Sequence, residues 1–192
     1  MENAQLRYKK VNPAAIEPAY AHDGDSGFDL YATEDVIITP GSTEKVPTGL
    51  AFELPEGYEL QVRPKSGIST RTKLRVTLGT VDSNYRGEVS VMVDNIAPIE
   101  YEIVCMDDVY ELWEKYHDAL LTSDGSGDIF EGSVLTEDPQ LVNTYLIPKG
   151  TKIAQAVLAP VSQAEFVPLE EDEELGDTTR GDGGFGSTGL TE

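Results

Sequence analysis

Three groups of residues in this chain have the types and spacing to act on a phosphorylated ligand. Asp82 stands in Gly79-Thr-Val-Asp-Ser-Asn-Tyr-Arg-Gly-Glu and is the first carboxylate after residues 60–81, which hold no acid but carry Arg63, Lys65, Arg71, Lys73 and Arg75. A fixed carboxylate can take a proton from water. Asp-Ser-Asn is also ordinary turn material, so taken alone Asp82 equally closes a turn. Lys65, Ser66 and Gly67 put an ammonium, a hydroxyl and a flexible backbone in consecutive positions. Those are the donors a phosphate needs together, although the same three residues also make a common loop. Asp29 follows Asp25-Ser-Gly-Phe and opens an apolar run. It is either a turn residue beside a permissive Gly27 or a carboxylate placed to orient a hydrated cation.

Two further features fit the same chemistry. Gln155 is the polar exception in the apolar run 153–158 and needs a partner or a ligand there. Near the end of the sequence, Arg180, Phe185, Gly186, Ser187 and Thr188 sit among many glycines. Such a segment forms no helix or strand by itself, but it can wrap a phosphate with successive N–H groups. It is not a Walker loop, because the Gly-Lys-Ser/Thr ending is missing. Phe185 among glycines is suited to closing over a flat base.

Composition narrows the setting of that chemistry. The formal net charge is −21 over 192 residues. Direct nucleic-acid binding, which needs a basic footprint, is therefore not expected. An anionic substrate must meet local cations or arrive with a metal. No apolar run reaches 18 residues and the first residues show no apolar signal core, so neither a membrane span nor a signal peptide is expected. Cys105 is the one cysteine, which excludes a disulfide framework and fits a cytoplasmic setting.

The elements that must position these residues are strands. Alternating segments at 6–11, 36–39, 44–54 and 59–64 are punctuated by Pro-Gly and Glu-Gly turns every 8 to 14 residues, and the first half lacks helical periodicity. An all-β sandwich or jelly roll follows. Residues 44–54 break at Pro47, and residues 68–74 suggest one or two helical turns. Residues 75–78 and 89–93 alternate on either side of Asp82, which predicts a strand-turn-strand hairpin carrying it. One amphipathic helix is predicted near 108–121, with Val109, Leu112, Trp113, Tyr116 and Leu120 on one face. The organisation expected is a core of residues 1–95 and 146–169, an insertion at 96–145, and an acidic linker with a Gly-rich arm at 170–192. The linker begins with five consecutive acids, Glu170 to Glu174.

Five stretches in fixed order resemble the homotrimeric dUTPase family: Asp25-Ser-Gly-Phe-Asp-Leu-Tyr-Ala, Arg63-Pro-Lys-Ser-Gly, the Asp82 segment, Gly150-Thr-Lys-Ile-Ala-Gln, and Arg180-Gly-Asp-Gly-Gly-Phe-Gly-Ser-Thr-Gly. Each is a weak pattern alone; together and in order they are specific. The resemblance implies a distorted jelly-roll homotrimer that hydrolyses dUTP to dUMP and pyrophosphate with Mg²⁺, limiting uracil in DNA and supplying dUMP for dTMP synthesis. It implies that Asp82 is the general base, that Gly79, Thr80 and Val81 shape the uracil pocket, and that Tyr85 packs on the deoxyribose and excludes a 2′-hydroxyl. It further implies that Lys65, Ser66, Gly67 and Gln155 bind phosphates, and that Asp29 holds Mg²⁺ through water. Arg180, Gly186, Ser187 and Thr188 would grip the γ-phosphate, and Phe185 would cover the base. Sites in this family are shared between subunits.

The chain departs from the pattern at Lys65 and Lys152, where arginine is usual, and an ammonium lacks the bidentate fork. The insertion lies outside the resemblance and, as some phage dUTPases carry one there, points to a phage origin. It leaves room for a protein partner such as a repressor. Two alternatives stand beside the enzyme: a regulatory binding protein on the same fold, and a relative of dCTP deaminase.

Overall fold

The computed structural model describes residues 4–99, 101–102, 130–134 and 140–183. Residues Met1–Ser162 form one compact unit and Gln163–Glu192 a second. The expected all-β class is observed in the first: among the described residues there are twelve strands and one short helix, with all strand pairs antiparallel. No helix among the described residues is long and apolar enough to cross a membrane.

The first sheet runs β1 (Arg7–Lys10), β4 (Thr43–Glu53), β8 (Glu88–Asn95), β6 (Leu74–Val76). The second runs β2 (Phe28–Tyr31), β12 (Lys152–Pro160), β5 (Tyr58–Pro64), β7 (Gly79–Val81). The third joins β10 (Phe130–Val134), β11 (Gln140–Ile147) and β3 (Val36–Ile38), with β9 (Tyr101–Glu102) also on β11. Strand β8 shows why the sequence pattern works. Val89, Val91, Val93 and Asn95 are buried while Glu88, Ser90, Met92 and Asp94 face outward, the two-residue period of a half-buried strand. Leu30, Ile38, Leu50, Leu60, Val91, Ile147 and Ile153 bring the inner faces of all three sheets into one apolar core.

The break at Pro47 is a β-bulge. The β4–β8 register shifts between Pro47 and Leu50, and Gly49 there adopts φ +67°. A Cβ on Gly49 would lie 2.8 Å from the β-carbons of Ala15 and Asn12 and 2.9 Å from Thr33 Cγ2. No other residue type fits both the left-handed backbone and the space. The Thr48 hydroxyl donates to the Val89 carbonyl, so the interrupted ladder is bridged by a side chain.

The two flanks expected to pair around Asp82 do pair, but the link between them is not a tight turn. Strand β6 pairs with β8, Val76 opposite Val93, but β7 leaves that sheet and pairs with β5, Leu60 opposite Val81. Asp82 therefore lies in a connection between two sheets. The reason is topological: β8 already has β4 and β6 on its two sides, and the open edge of β5 takes β7. The helix, α1 (Ser66–Arg71), starts two residues before the segment expected, and Arg75 closes its end, with Nη1 donating to the carbonyls of Ser69, Thr72 and Leu74.

Asn95 fastens the margin of the core. It is fully buried, and its Nδ2 donates to Ile38 O at 3.0 Å and Asn143 O at 2.8 Å while its Oδ1 accepts from Ala97 N at 3.0 Å. Asn143, at φ 64°, donates in turn to Pro98 O at 3.1 Å. Strand β11 runs unbroken across position 145 onto β3, Tyr145 opposite Ile38. The helix expected near 108–121 lies outside the described residues. In the second unit, residues 163–183 contain no helix or strand; tight turns at Glu170–Glu173 and Thr178–Gly183 are closed by Glu173 N to Glu170 O and Gly183 N to Arg180 O.

Candidate active site

Strand β12 sets the first half of the site. It pairs with β2 and β5 at once, and Gln155 falls opposite Asp29 on one side and Arg63 on the other. Residues directly opposed across antiparallel strands project from the same face. A one-residue bulge between Lys152 and Ala154 then changes the alternation, so that Lys152 sits opposite Tyr31, two residues beyond Asp29. The ladder thus puts Asp29, Lys152, Gln155 and Arg63 on one face.

Asp29 is held between two ammonium groups. Lys65 Nζ donates to Oδ1 at 2.5 Å and Lys152 Nζ to Oδ2 at 2.9 Å. Burial alone raises the Asp29 pKa, but the hydrogen bonds and charges of the two lysines together outweigh it and leave the carboxyl below its ordinary 3.8. The hydrogen bond to Asp29, followed by its charge and that of Tyr31, pushes Lys152 above its ordinary 10.5. Lys152 Nζ also lies 5.7 Å from the Tyr31 ring centroid, within cation–π range.

Lys65 belongs to a short donor array. Gln155 Nε2 donates to Pro64 O at 3.1 Å and so ties the end of β5 to β12 just before Lys65. Lys65 itself is extended, at φ −95° and ψ 131°, and Ser66 and Gly67 begin α1 in exposed positions. Residues at the start of a helix have no preceding carbonyl to receive their N–H groups. An ammonium, a hydroxyl and two outward N–H donors therefore occupy three consecutive positions.

The second half is the segment after β7. Gly79 lies against Val62, where a Cβ would come within 3.3 Å of it, and Thr80 lies opposite Gln61. Val81 packs on the core. Asp82 is exposed, and its carbonyl accepts from Tyr85 N at 3.0 Å, which makes a tight turn. Arg86 Nη1 donates to Ser83 O at 2.7 Å and Tyr85 O at 2.8 Å, so this cation is spent on the turn. The Tyr85 ring lies over Gly87, where a Cβ would stand 2.3 Å from the phenolic oxygen, and its hydroxyl donates to Glu88 O at 3.1 Å.

The structure brings Asp29, Lys65 and Gln155 together, as the motifs suggest, and places Asp82 and Tyr85 elsewhere. Strands β2 and β7 are opposite edges of one four-stranded sheet. Three strand spacings separate them, about 14 Å. Arg180 lies in the second unit with Nε donating to Gly183 O at 2.7 Å; Phe185, Gly186, Ser187 and Thr188 lie outside the described residues. Two participants escape a sequence reading. Lys152 as a partner of Asp29 depends on the β12 bulge, and Arg63 beside Gln155 depends on the register; neither has a local signal.

The donor set also defines which cation the site suits. No group of three His, Cys, Asp or Glu residues able to hold a metal occurs among the described residues. One ionised carboxylate is too little for a protein-built cage. It suits the water shell of a hydrated divalent ion carried on phosphates, the usual habit of Mg²⁺.

Comparison with known proteins gives one consistent family. The dUTPase family model matches residues 14–103 and 142–189. The deoxyuridine 5′-triphosphate nucleotidohydrolase of Gloeothece citriformis is 39% identical over 189 residues, covering 97% of this chain and 98% of the relative. That of Nautilia profundicola is 41% identical over 187 residues, covering 96% and 99%. Among solved structures, the Staphylococcus bacteriophage 80alpha dUTPase with dUPNHPP aligns at TM-score 0.72 with 26% identity, covering 97% of this chain and 99% of that one. The dUTPase from phage phi11 of S. aureus, with its species-specific insert, aligns at TM-score 0.65 with 25% identity, covering 89% and 99%.

The Asp29 cluster has a testable pH signature. Its lowered folded pKa means that the stability it contributes is fully present above the unfolded value and is lost as pH falls through the folded one. Asp29→Asn should lower stability at pH 7 by about 1–2 kcal/mol, discounted for the partial exposure of both lysines. Urea unfolding of both proteins should show the gap closing below pH 3.8, the ordinary carboxyl value. A gap that stays constant from pH 7 to pH 2 would refute the ionised, lysine-bound state.

Proposed function

The chain belongs to the dUTPase family, and from that premise we propose that it hydrolyses dUTP to dUMP and pyrophosphate. The observation that carries this reading is the placement, around one sheet, of a cationic phosphate cradle on β12 and just past the end of β5, with an exposed carboxylate on a fixed turn after the edge strand β7. A triphosphate brings about four negative charges that must be offset before water can attack. Lys65, Ser66, Gly67 and Gln155 bind the phosphates. Lys65 exchanges Asp29 for phosphate, and Lys152 keeps the Asp29 carboxylate ionised and oriented. Asp82 orients a water and takes its proton as the oxygen attacks the α-phosphorus. The bond to the oxygen bridging the α- and β-phosphorus breaks, and pyrophosphate leaves with the electron pair. Bound Mg²⁺, with Asp29 contacting its water shell, supplies further charge neutralisation on the phosphates.

Gly79, Thr80 and Val81 form the edge that meets uracil, and Tyr85 packs on the deoxyribose. The site is assembled from different subunits of a homotrimer. Arg180, Phe185, Gly186, Ser187 and Thr188 close the site from a neighbouring subunit, with Phe185 over the base. Lysine at 65 and 152 in place of arginine loosens phosphate binding and leaves the reaction unchanged. The enzyme works in the cytoplasm, that of a bacterial host if phage-encoded.

A second reading adds regulation. The family model leaves residues 104–141 unmatched. The phage 80alpha relative is one of the dUTPases described as controlling transfer of virulence genes by a proto-oncogenic G protein-like mechanism. Residues 96–145 of this chain are then a surface for a protein partner of repressor type, and nucleotide binding biases its use.

Three measurements test these assignments. With Mg²⁺, the chain should release pyrophosphate from dUTP and little from dCTP, dTTP or UTP, and Asp82→Asn should lower kcat about 10²- to 10⁴-fold while still binding dUTP. Wild type inert on dUTP sinks the activity, and normal turnover by Asp82→Asn sinks the base. Deletion from Asp177 onward should leave a folded trimer by light scattering with kcat/KM reduced about 100-fold or more; undiminished activity would remove the arm from the site. Deletion of residues 104–141 should abolish co-purification of a host or phage regulator while sparing dUTP hydrolysis. Equal capture with and without the segment would remove the regulatory reading.

A further inference from the structure

Resting on the dUTP reading above, we propose that Glu88 is a positioning residue for sugar discrimination, acting through Tyr85 from an anchor on the β4 bulge. Glu88 is bonded at both ends. Its side-chain Oε1 accepts from Gly49 N at 2.7 Å, and its backbone carbonyl accepts from the Tyr85 hydroxyl at 3.1 Å.

The anchor cannot shift. Gly49 is in the left-handed region at φ +67°, walled in by Ala15, Asn12 and Thr33, and its carbonyl accepts from Val11 N at 2.8 Å. Its N–H therefore points one way, and the Glu88 carboxylate receives it. The next pair of residues repeats the link, since the Thr48 hydroxyl donates to the Val89 carbonyl. The bulge and the start of β8 are thus joined twice, by a side chain from each strand. This fixes the end of the segment 82–87 against a rigid part of the first sheet.

Tyr85 receives that rigidity at two points. Its hydroxyl is tied to the Glu88 carbonyl, and its ring rests on the bare α-carbon of Gly87. With the phenolic hydrogen already donated, the exposed ring offers a sugar carbon surface and no free donor. A 2′-hydroxyl packed on the ring face loses water without gaining a partner there. An apolar surface of this kind rejects an added hydroxyl by about 100-fold at most, so a small displacement of the ring is measurable.

The readout is the ratio of kcat/KM for dUTP to that for UTP, measured on the full-length chain. Glu88→Ala should lower this ratio about tenfold, and Glu88→Gln, which keeps an oxygen for Gly49 N, should hold it within about twofold of wild type. Gly49 amide exchange should accelerate in the alanine variant and stay slow in the glutamine one. Tyr85→Phe, which removes the bond to the Glu88 carbonyl without touching Glu88, should lower the ratio in the same direction and decides the matter if Glu88→Ala does not fold. Equal losses toward dUTP and UTP in Glu88→Ala would mark Glu88 as merely structural and overturn the proposal. So would an unchanged ratio, in Glu88→Ala or in Tyr85→Phe. Wild type that fails to hydrolyse dUTP would instead overturn the functional reading beneath it.

Discussion

Strand β12 has neighbours on both sides, and the chemistry of its sheet depends on how it pairs. One register sets Gln155 between Asp29 and Arg63; one extra residue in the same strand turns Lys152 onto their face. A strand buried against two partners cannot slip, because a one-residue shift would carry Ile153, Ala154 and Ala156 out of the core. The apolar half of β12 therefore fixes the polar half. Asp29 then collects two lysines without any flexible loop bringing them, apart from the short step from β5 into α1.

Electrostatics follows from that local arrangement more than from the whole molecule. A chain of net charge −21 repels anions at long range, and screening shortens that reach to about 8 Å at physiological ionic strength. Within the site the balance is reversed: two ammonium groups face one carboxylate, with the Arg63 guanidinium in the same row, its Nε donating to Gln61 Oε1 at 2.9 Å. Not every cation in the basic stretch serves this purpose. Arg75 closes α1 and Arg86 closes the Asp82 turn, so their charges are committed to backbone carbonyls.

Much of the architecture was legible in residue order, and what escaped shares a cause. Alternation in residues 89–93, the turn pairs and the lone polar Gln155 in an apolar run are local signals, and each corresponds to an observed strand or contact. The flanks of Asp82 pair as expected, β6 with β8, but the link between them holds a third strand, β7, and so short a segment does not name β5 as the edge it joins. Pro47 announced a break in β4, but the residue that shapes the break is Gly49, made necessary by Ala15, Asn12 and Thr33 from distant parts of the chain. Lys152 looked like a mere replacement for arginine until the bulge placed it on Asp29. Contacts that need a register or a distant wall leave no mark at their own position in the sequence.

The buried amide of Asn95 has a consequence for how this molecule can change. It grips the carbonyl of Asn143 across 48 residues of sequence, and Asn143 answers by gripping Pro98. The two margins of that long span are therefore joined at its base. Once ends are joined, contour length becomes a weak thermodynamic variable: doubling a flexible closed loop costs about 0.6 kcal/mol. Length between the stretches of that span that pair with β11 can then change at little cost to the scaffold, whereas β9 and β10 are held by their ladders.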